Sequence, residues 1–218
     1  AQIWEAPTTL VDMVLTGGQS ALYLNLPIKN TWANIAQFPT DEIDDYLVQS
    51  ALLTHDSGVF ALASPARPEL GELITLNKAT KVLSILRELN EYVVLDLPHD
   101  FSSTTLAGLD RADVILLVLQ PEIPSIRSAG LTLETFRELG YNLDKVHLIL
   151  NWTFPRNGVS RQDIETFLKK EITQVIPFAS EEILRGINHG IPLVYSDPES
   201  PLGEIFEDIA LRFSKVDH

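Results

Sequence analysis

The sequence predicts an α/β fold, a three-layer sandwich of helices packed on both faces of a mostly parallel sheet. Two observations carry this. Apolar runs of strand length alternate with longer stretches of helical period, the pattern of right-handed βαβ crossovers. Most of the runs are continuously apolar, as expected of strands covered on both faces. With 218 residues, of which 45% are hydrophobic, the chain has the length of one domain or two small ones. It is long enough to bury roughly 70% of its unfolded surface. No internal repeat, linker or low-complexity tract interrupts it, so it reads as one domain over 1–218.

The strand candidates, in order, are Thr9–Leu15, ended by Gly17-Gly18; Val59–Ala63, stopped by Ser64-Pro65; Tyr92–Asp96, before Pro98; and Val114–Leu119, before Pro121. Val146–Asn151 and Gln174–Pro177 follow. Between them, Leu73, Leu76, Ala79, Leu83 and Leu86 recur at helical spacing and predict one buried stripe. Ser125 is placed to cap a helix that ends at Gly140, with Leu131, Phe136 and Leu139 inside it. Ser160 precedes a helix over Arg161–Glu171, with Asp163 giving a capping-box-like start. Ser180–His189 is closed by Gly190, and Pro201–Val216 carries Leu202, Ile205, Ile209 and Phe213 on one face. Pro27, Pro39 and the acidic Asp41-Glu42 and Asp44-Asp45 pairs predict short helices on the sheet edge over 25–50.

Composition narrows the function. Lys and Arg number 16 and Asp and Glu 30, a net charge of −14. That balance argues against nucleic acid as a direct partner, since binding phosphate backbones needs clustered cations. It equally disfavours a broad contact with anionic lipid. The chain has no Cys, hence no disulfide and no thiolate metal site, which fits a reducing, cytoplasmic setting. No apolar run reaches the length of a membrane-spanning helix. In the last helix Glu204, Glu207 and Asp208 stand against Arg212 and Lys215, a poor match to anionic lipid.

Ligands of open α/β sheets bind beyond the carboxyl ends of the strands, which directs attention to Asp96, Asp12 and Asn151. A carboxylate closing four apolar strand residues, as Asp96 does, can hold magnesium directly or through water in nucleotide hydrolases. The same position also suits a cap for the turn or helix starting at Ser102. Asp12, just before Thr16-Gly17-Gly18, reads as a second carboxylate of the site or as a turn former. Asn151 could hydrogen-bond a base or satisfy backbone groups. His99 reads as a solvent-facing loop residue rather than a general base, and the Asp41 to Asp45 carboxyls as a solvated helix face. A phosphate loop of the form Gly-x-x-x-x-Gly-Lys-Ser/Thr is missing; the sequence contains no Gly-Lys pair.

The order of these motifs resembles the MinD/ParA group of deviant-Walker ATPases, and within it the CpaE/TadZ branch associated with Flp pilus assembly. Thr9-Leu10-Val11-Asp12-Met13 resembles the strand with the switch I carboxylate, and Ala21–Pro27 with Thr31-Trp32 the segment after it. Leu62-Ala63-Ser64-Pro65 with Pro68-Glu69 resembles the strand and loop before the family's long helix. Tyr92–Pro98 resembles the Walker B strand and His99–Ser103 the switch II turn. Asp113–Leu119 with Pro121, Pro124-Ser125 and Arg127 resembles the next strand and helix. Leu150-Asn151, Ile176-Pro177-Phe178 and Asn188–Leu193 resemble the adenine-side and closing elements. The resemblance implies a P-loop NTPase-like domain lacking its first βα unit, with Ala1–Glu5 similar to the tail of the first helix. It implies ATP and Mg2+ as cofactors of the parent protein, Asp12 and Asp96 as catalytic residues, and Asp96 as the magnesium residue. Asn151, Pro177 and Phe178 would face adenine. It further implies an ATP-bridged dimer, pilus-assembly or polarity proteins as partners, and in some relatives an upstream receiver-like domain. Val14 and Gln19 stand where the family commonly has acidic residues, which speaks against efficient hydrolysis. With no phosphate loop, this chain is expected to bind ATP weakly or not at all. It is either part of a longer ATPase or a non-catalytic scaffold; a small-molecule kinase or ligase relative finds no pocket constellation to support it.

Overall fold

The computed structural model describes residues 1–214, and the chain divides into two compact units. The first comprises Ala1–Arg111 with Ile187–Ile191, the second Ala112–Gly186 with the segment from Pro192 onward. Each is an α/β assembly with a mostly parallel sheet, as the alternating pattern predicts.

In the first unit, chain order is β1 (Thr8–Asp12), α1 (Ser20–Tyr23), α2 (Trp32–Ala36), α3 (Asp45–Ala51), β2 (Leu53–Thr54), β3 (Val59–Leu62), α4 (Pro68–Gly71), α5 (Leu76–Leu89), β4 (Tyr92–Asp96) and α6 (Ser103–Arg111). The sheet order is β2-β3-β1-β4. β1 and β3 are the inner strands; β1 is parallel to β3 and β4, while β2 is antiparallel to β3. The core joins Val11, Met13, Trp32, Ile35, Leu62, Val82, Leu83 and Leu86 around this sheet. The short helices expected over 25–50 are present. Thr31 caps α2 with a reciprocal Asn34 bond, and the Asp44 carboxylate accepts from the Leu47 amide to start α3.

The second unit follows as β5 (Ile115–Leu119), α7 (Ile123–Glu138), β6 (Val146–Asn151), α8 (Arg161–Leu168), β7 (Ile172–Ile176), α9 (Ser180–His189, of which 187–189 are counted with the first unit), α10 (Leu193–Ser196) and α11 (Pro201–Phe213). Its sheet is β5-β6-β7, all parallel. Leu202, Ile205, Phe206 and Ile209 of α11 pack with Ile149 and Ile176 of the sheet, along with Ile183 and Leu193. Among the described residues no helix is long and apolar enough to cross a membrane.

Several boundaries differ from the sequence reading. β1 stops at Asp12 instead of running to Leu15, because the Asp12 side chain captures the Val14 amide and turns the chain. Leu73 and Leu76 are exposed rather than in the buried stripe, which begins at Ala79 and runs through Val82, Leu83, Ile85 and Leu86. α7 starts two residues before Ser125, whose hydroxyl instead accepts from the Gln120 amide. α8 ends at Leu168 with Lys169 in the left-handed region, so Glu171 lies outside it. β7 begins at Ile172, earlier than expected, and residues 2–5 form a turn, not a helix end. The end of the last helix at Val216 lies outside the described residues.

Candidate functional site

In the first unit, β1 and β4 run parallel with Asp12 directly opposite Asp96, so two carboxylates leave the same end of neighbouring strands. Their surroundings differ. Asp12 is 1% exposed, whereas Asp96 lies at the surface. The main chain is locked at this point: the Met13 amide donates to the Asp96 carbonyl (2.9 Å), and the Trp32 indole donates to the Asp12 carbonyl (3.0 Å). The Ser64 hydroxyl donates to the Val14 carbonyl at 2.7 Å.

The Asp12 carboxylate organises the turn that follows it. Oδ1 accepts from the Val14 amide and Oδ2 from the Ser20 amide, both at 3.1 Å. The Gly18 amide donates back to the Val14 carbonyl at 3.0 Å, and Gly17 sits at φ +87°. Gly18 is required by close approach. A Cβ there would overlap the Asp12 oxygens and sit 2.5 Å from Asp12 Cγ. Ser20, buried at the start of α1, donates its hydroxyl to Asp96 Oδ2 at 3.1 Å. Burial pushes the Asp12 carboxyl above the usual range, and the Asp96 charge adds to this; bonds from Ser20 and the Val14 amide oppose it. Asp12 is therefore a turn former as well as a member of the carboxylate pair. Ser20 and Gly18 belong to the same constellation and were not singled out from the sequence. Only the polar, small-residue run between Thr16 and Ser20 hinted at them.

Asp96 does not cap the helix after it. That task falls to Ser102, whose Oγ accepts from the Thr105 amide at 3.4 Å, while Asp100 holds the turn before it, its Oδ1 accepting from the Ser102 amide (2.9 Å) and the Thr105 hydroxyl (2.6 Å). The Thr105 bond, then the Ser102 amide, hold the Asp100 carboxyl below its usual range. A carboxyl with a lowered folded-state pKa contributes stability that is present above its unfolded pKa and lost as pH falls through the folded one. Asp100→Ala is therefore expected to lose less stability than wild type between about pH 7 and pH 3, read from urea midpoints at the two values. His99 is exposed, as expected of a loop residue.

In the second unit, Asn151 ends β6, half-buried and paired in register with Ile176 of β7. The Trp152 amide donates to the Ile176 carbonyl at 2.9 Å, which brings the ends of the two strands together. Pro177 and Phe178 follow β7 directly, both exposed. Asn151, Pro177 and Phe178 therefore share one end of this sheet. Trp152 lies against Gly158, where a Cβ would fall 2.8 Å from the indole, and edge-on to Phe154 at 5.9 Å.

The residues present meet a magnesium nucleotide only in part. Asp96 is exposed at a strand end, a suitable place for a water-mediated cation. The phosphates find no Gly-rich loop with Lys in the 218 residues. Among the described residues no group of three or more His, Asp or Glu side chains is arranged to hold a metal.

No protein-family profile matches the chain. It is 29% identical to the septum site-determining protein MinD of Thermotoga maritima over 146 residues, 65% of this chain and 53% of that protein. Of the first two curated relatives it matches, the chain spans 62% and 53% of the length. Among solved structures, a ParA family ATPase from Chlorobium tepidum superposes with a TM-score of 0.87 at 21% identity, over 96% of this chain and 87% of the other. MinD of Pyrococcus horikoshii in complex with Mg-ADP superposes at 0.80 with 20% identity, over 96% and 84%. The α/β fold with mostly parallel sheets thus matches ParA/MinD P-loop NTPase-like structures.

Proposed function

Because sequence relatives and solved structures together support the MinD/ParA-like P-loop ATPase superfamily, we propose that this chain is the greater part of a nucleotide-dependent localisation or assembly ATPase. Its motif order points to the CpaE/TadZ kind, acting in Flp pilus assembly. The observation that carries this reading is the pair of in-register carboxylates at the ends of β1 and β4, one buried in the turn and one exposed. In this reading Asp96 holds magnesium through water and Asp12 shapes the switch turn. Asn151, Pro177 and Phe178 offer a polar and an aromatic surface to adenine.

The phosphate loop belongs, in this proposal, to a further strand–loop–helix element of the polypeptide. The sheet edges support it. β4 ends the first sheet with Val94 53% exposed, and β5 ends the second with Leu116 41% and Val118 57% exposed. Apolar residues on a parallel edge strand are what an added strand and helix would cover. A second copy bridged by ATP, and pilus-assembly or polarity proteins, are the partners of this reading. Its setting is cytoplasmic, with no direct nucleic-acid partner and no strong membrane binding.

Calorimetry tests it. The full-length gene product is expected to bind ATP in a magnesium-dependent way. Asp96→Ala should weaken that binding at least about tenfold, which corresponds to about 1.4 kcal/mol. The 218-residue chain alone should bind far more weakly. Absence of magnesium-dependent binding by the full-length product overturns the proposal. A scaffold without catalysis is the second reading, favoured by Val14 and Gln19 at the switch and by the engagement of Asp12 with two amides. It expects Asp96→Ala to leave partner binding and localisation intact.

A further inference from the structure

Ser20 occupies a singular place between the two carboxylates. It is 5% exposed, so both of its donors need partners inside the protein. Its amide is taken by Asp12 Oδ2 and its hydroxyl by Asp96 Oδ2, each at 3.1 Å. A carboxylate is an acceptor only, so the hydroxyl must be the donor. Asp12 and Asp96 are cross-strand neighbours of like charge, and such pairs repel. The hydroxyl supplies the positive end of a dipole between them. Ser20 also opens α1, and the turn Thr16–Gln19 hangs between it and β1. The hydroxyl also stands within bonding reach of the Asp12 carboxylate, so Asp96 and Asp12 are its two acceptors at this strand end.

We propose that Ser20 is a positioning residue that couples the Thr16–Ser20 turn to Asp96, so that what Asp96 binds is transmitted to the turn through one hydroxyl. The functional use of this coupling rests on the reading of Asp96 as the magnesium residue; the coupling itself does not. A cation-bound water drawn to Asp96 competes with the Ser20 hydroxyl for the same oxygen. Losing that bond leaves Ser20 attached only to Asp12, through its amide and hydroxyl, so the turn loses its tie to β4 and loosens. The ordered turn is then the state in which Asp96 has no other donor on Oδ2.

Amide hydrogen exchange, read residue by residue at Gly18 and Ser20, tests this on the 218-residue chain without nucleotide. Four proteins suffice: wild type, Ser20→Ala, Asp96→Ala and the double variant, with Ser20→Thr as the conservative control. Hydrogen bonds to charged groups are strong enough that each single loss is expected to speed exchange about 5–30-fold. The double variant is expected to exceed the faster single variant by no more than about twofold, because both remove one bond. Ser20→Thr keeps the hydroxyl and is expected to stay within about twofold of wild type. A residue that merely fills space would give additive effects and no rescue by threonine. The proposal falls if Asp96→Ala leaves Ser20 exchange unchanged, or if the double variant shows the product of the single effects. If Ser20→Ala does not fold, the exposed Asp96→Ala and Ser20→Thr proteins still decide: unchanged exchange in the former overturns the coupling. The calorimetric test of ATP binding is separate, so a failure of the coupling and a failure of the ATPase reading are told apart.

Discussion

Replacing Trp32 by alanine is expected to destabilise the first unit by about 3–5 kcal/mol, the cost of truncating a fully buried large aromatic. Trp32 is 1% exposed and sits in the same core as Val11, Met13, Ile35 and Leu62. Its loss opens a cavity beneath the end of β1. It also removes the indole donor from the Asp12 carbonyl, leaving a buried acceptor short of its partner. Trp32→Phe separates these contributions. It keeps most of the ring and loses the indole N–H, so about 1–3 kcal/mol of the total should remain. Urea unfolding of the three proteins measures both values. A cost below about 1 kcal/mol for Trp32→Ala would mean that the site's main chain does not depend on this anchor.

Gly18→Ala is expected to cost about 1–3 kcal/mol through overpacking, and to do so by displacing Asp12. The added methyl group would occupy the volume of the Asp12 carboxylate, which is buried and bound to two amides. The carboxylate cannot swing away without abandoning the Val14 and Ser20 amides. Gly17→Ala is the instructive comparison. A Cβ there meets nothing within 4 Å, but the residue sits at φ +87°. Its penalty is backbone strain alone, about 1–2 kcal/mol. The two variants therefore separate by mechanism. In Gly18→Ala the exchange of the Val14 and Ser20 amides should rise together, while in Gly17→Ala the Asp12 bonds should survive. Gly18→Ala with wild-type stability and unchanged amide protection would show that Asp12 is not held as described.

The strands legible to the residue were those with uninterrupted apolar runs and a clear stop. Tyr92–Asp96 and Val146–Asn151 are of this kind, one followed shortly by Pro98 and the other by Trp152. β7 was misplaced because Thr173 and Gln174 dilute its apolar signal; its register comes from pairing with β6, not from local composition. β2 is only Leu53–Thr54, too short to leave a pattern, and it exists because β3 offers it an antiparallel partner. The carboxylates at the strand ends could be read from position alone. Their division of labour could not. Ser102, not Asp96, caps α6, and Asp100 braces that cap because Ser102 and Thr105 fall within its reach. The bond from Ser20 to Asp12 spans eight positions, and that from Ser20 to Asp96 seventy-six. The second is decided by the pairing of β1 with β4, which no local run of residues announces.

The outer strands β4 and β5 have a consequence for how the chain behaves in a tube. Each ends its sheet with apolar side chains turned outward, Val94 on one and Leu116 and Val118 on the other. Such borders invite strand addition by any chain that drifts past, including another molecule of the same kind. A net charge of −14 keeps those encounters brief by mutual repulsion. Salt screens this repulsion within a Debye length of about 10 Å at 0.1 M. Salt tolerance is therefore expected to be higher in any form of the protein in which these borders are covered.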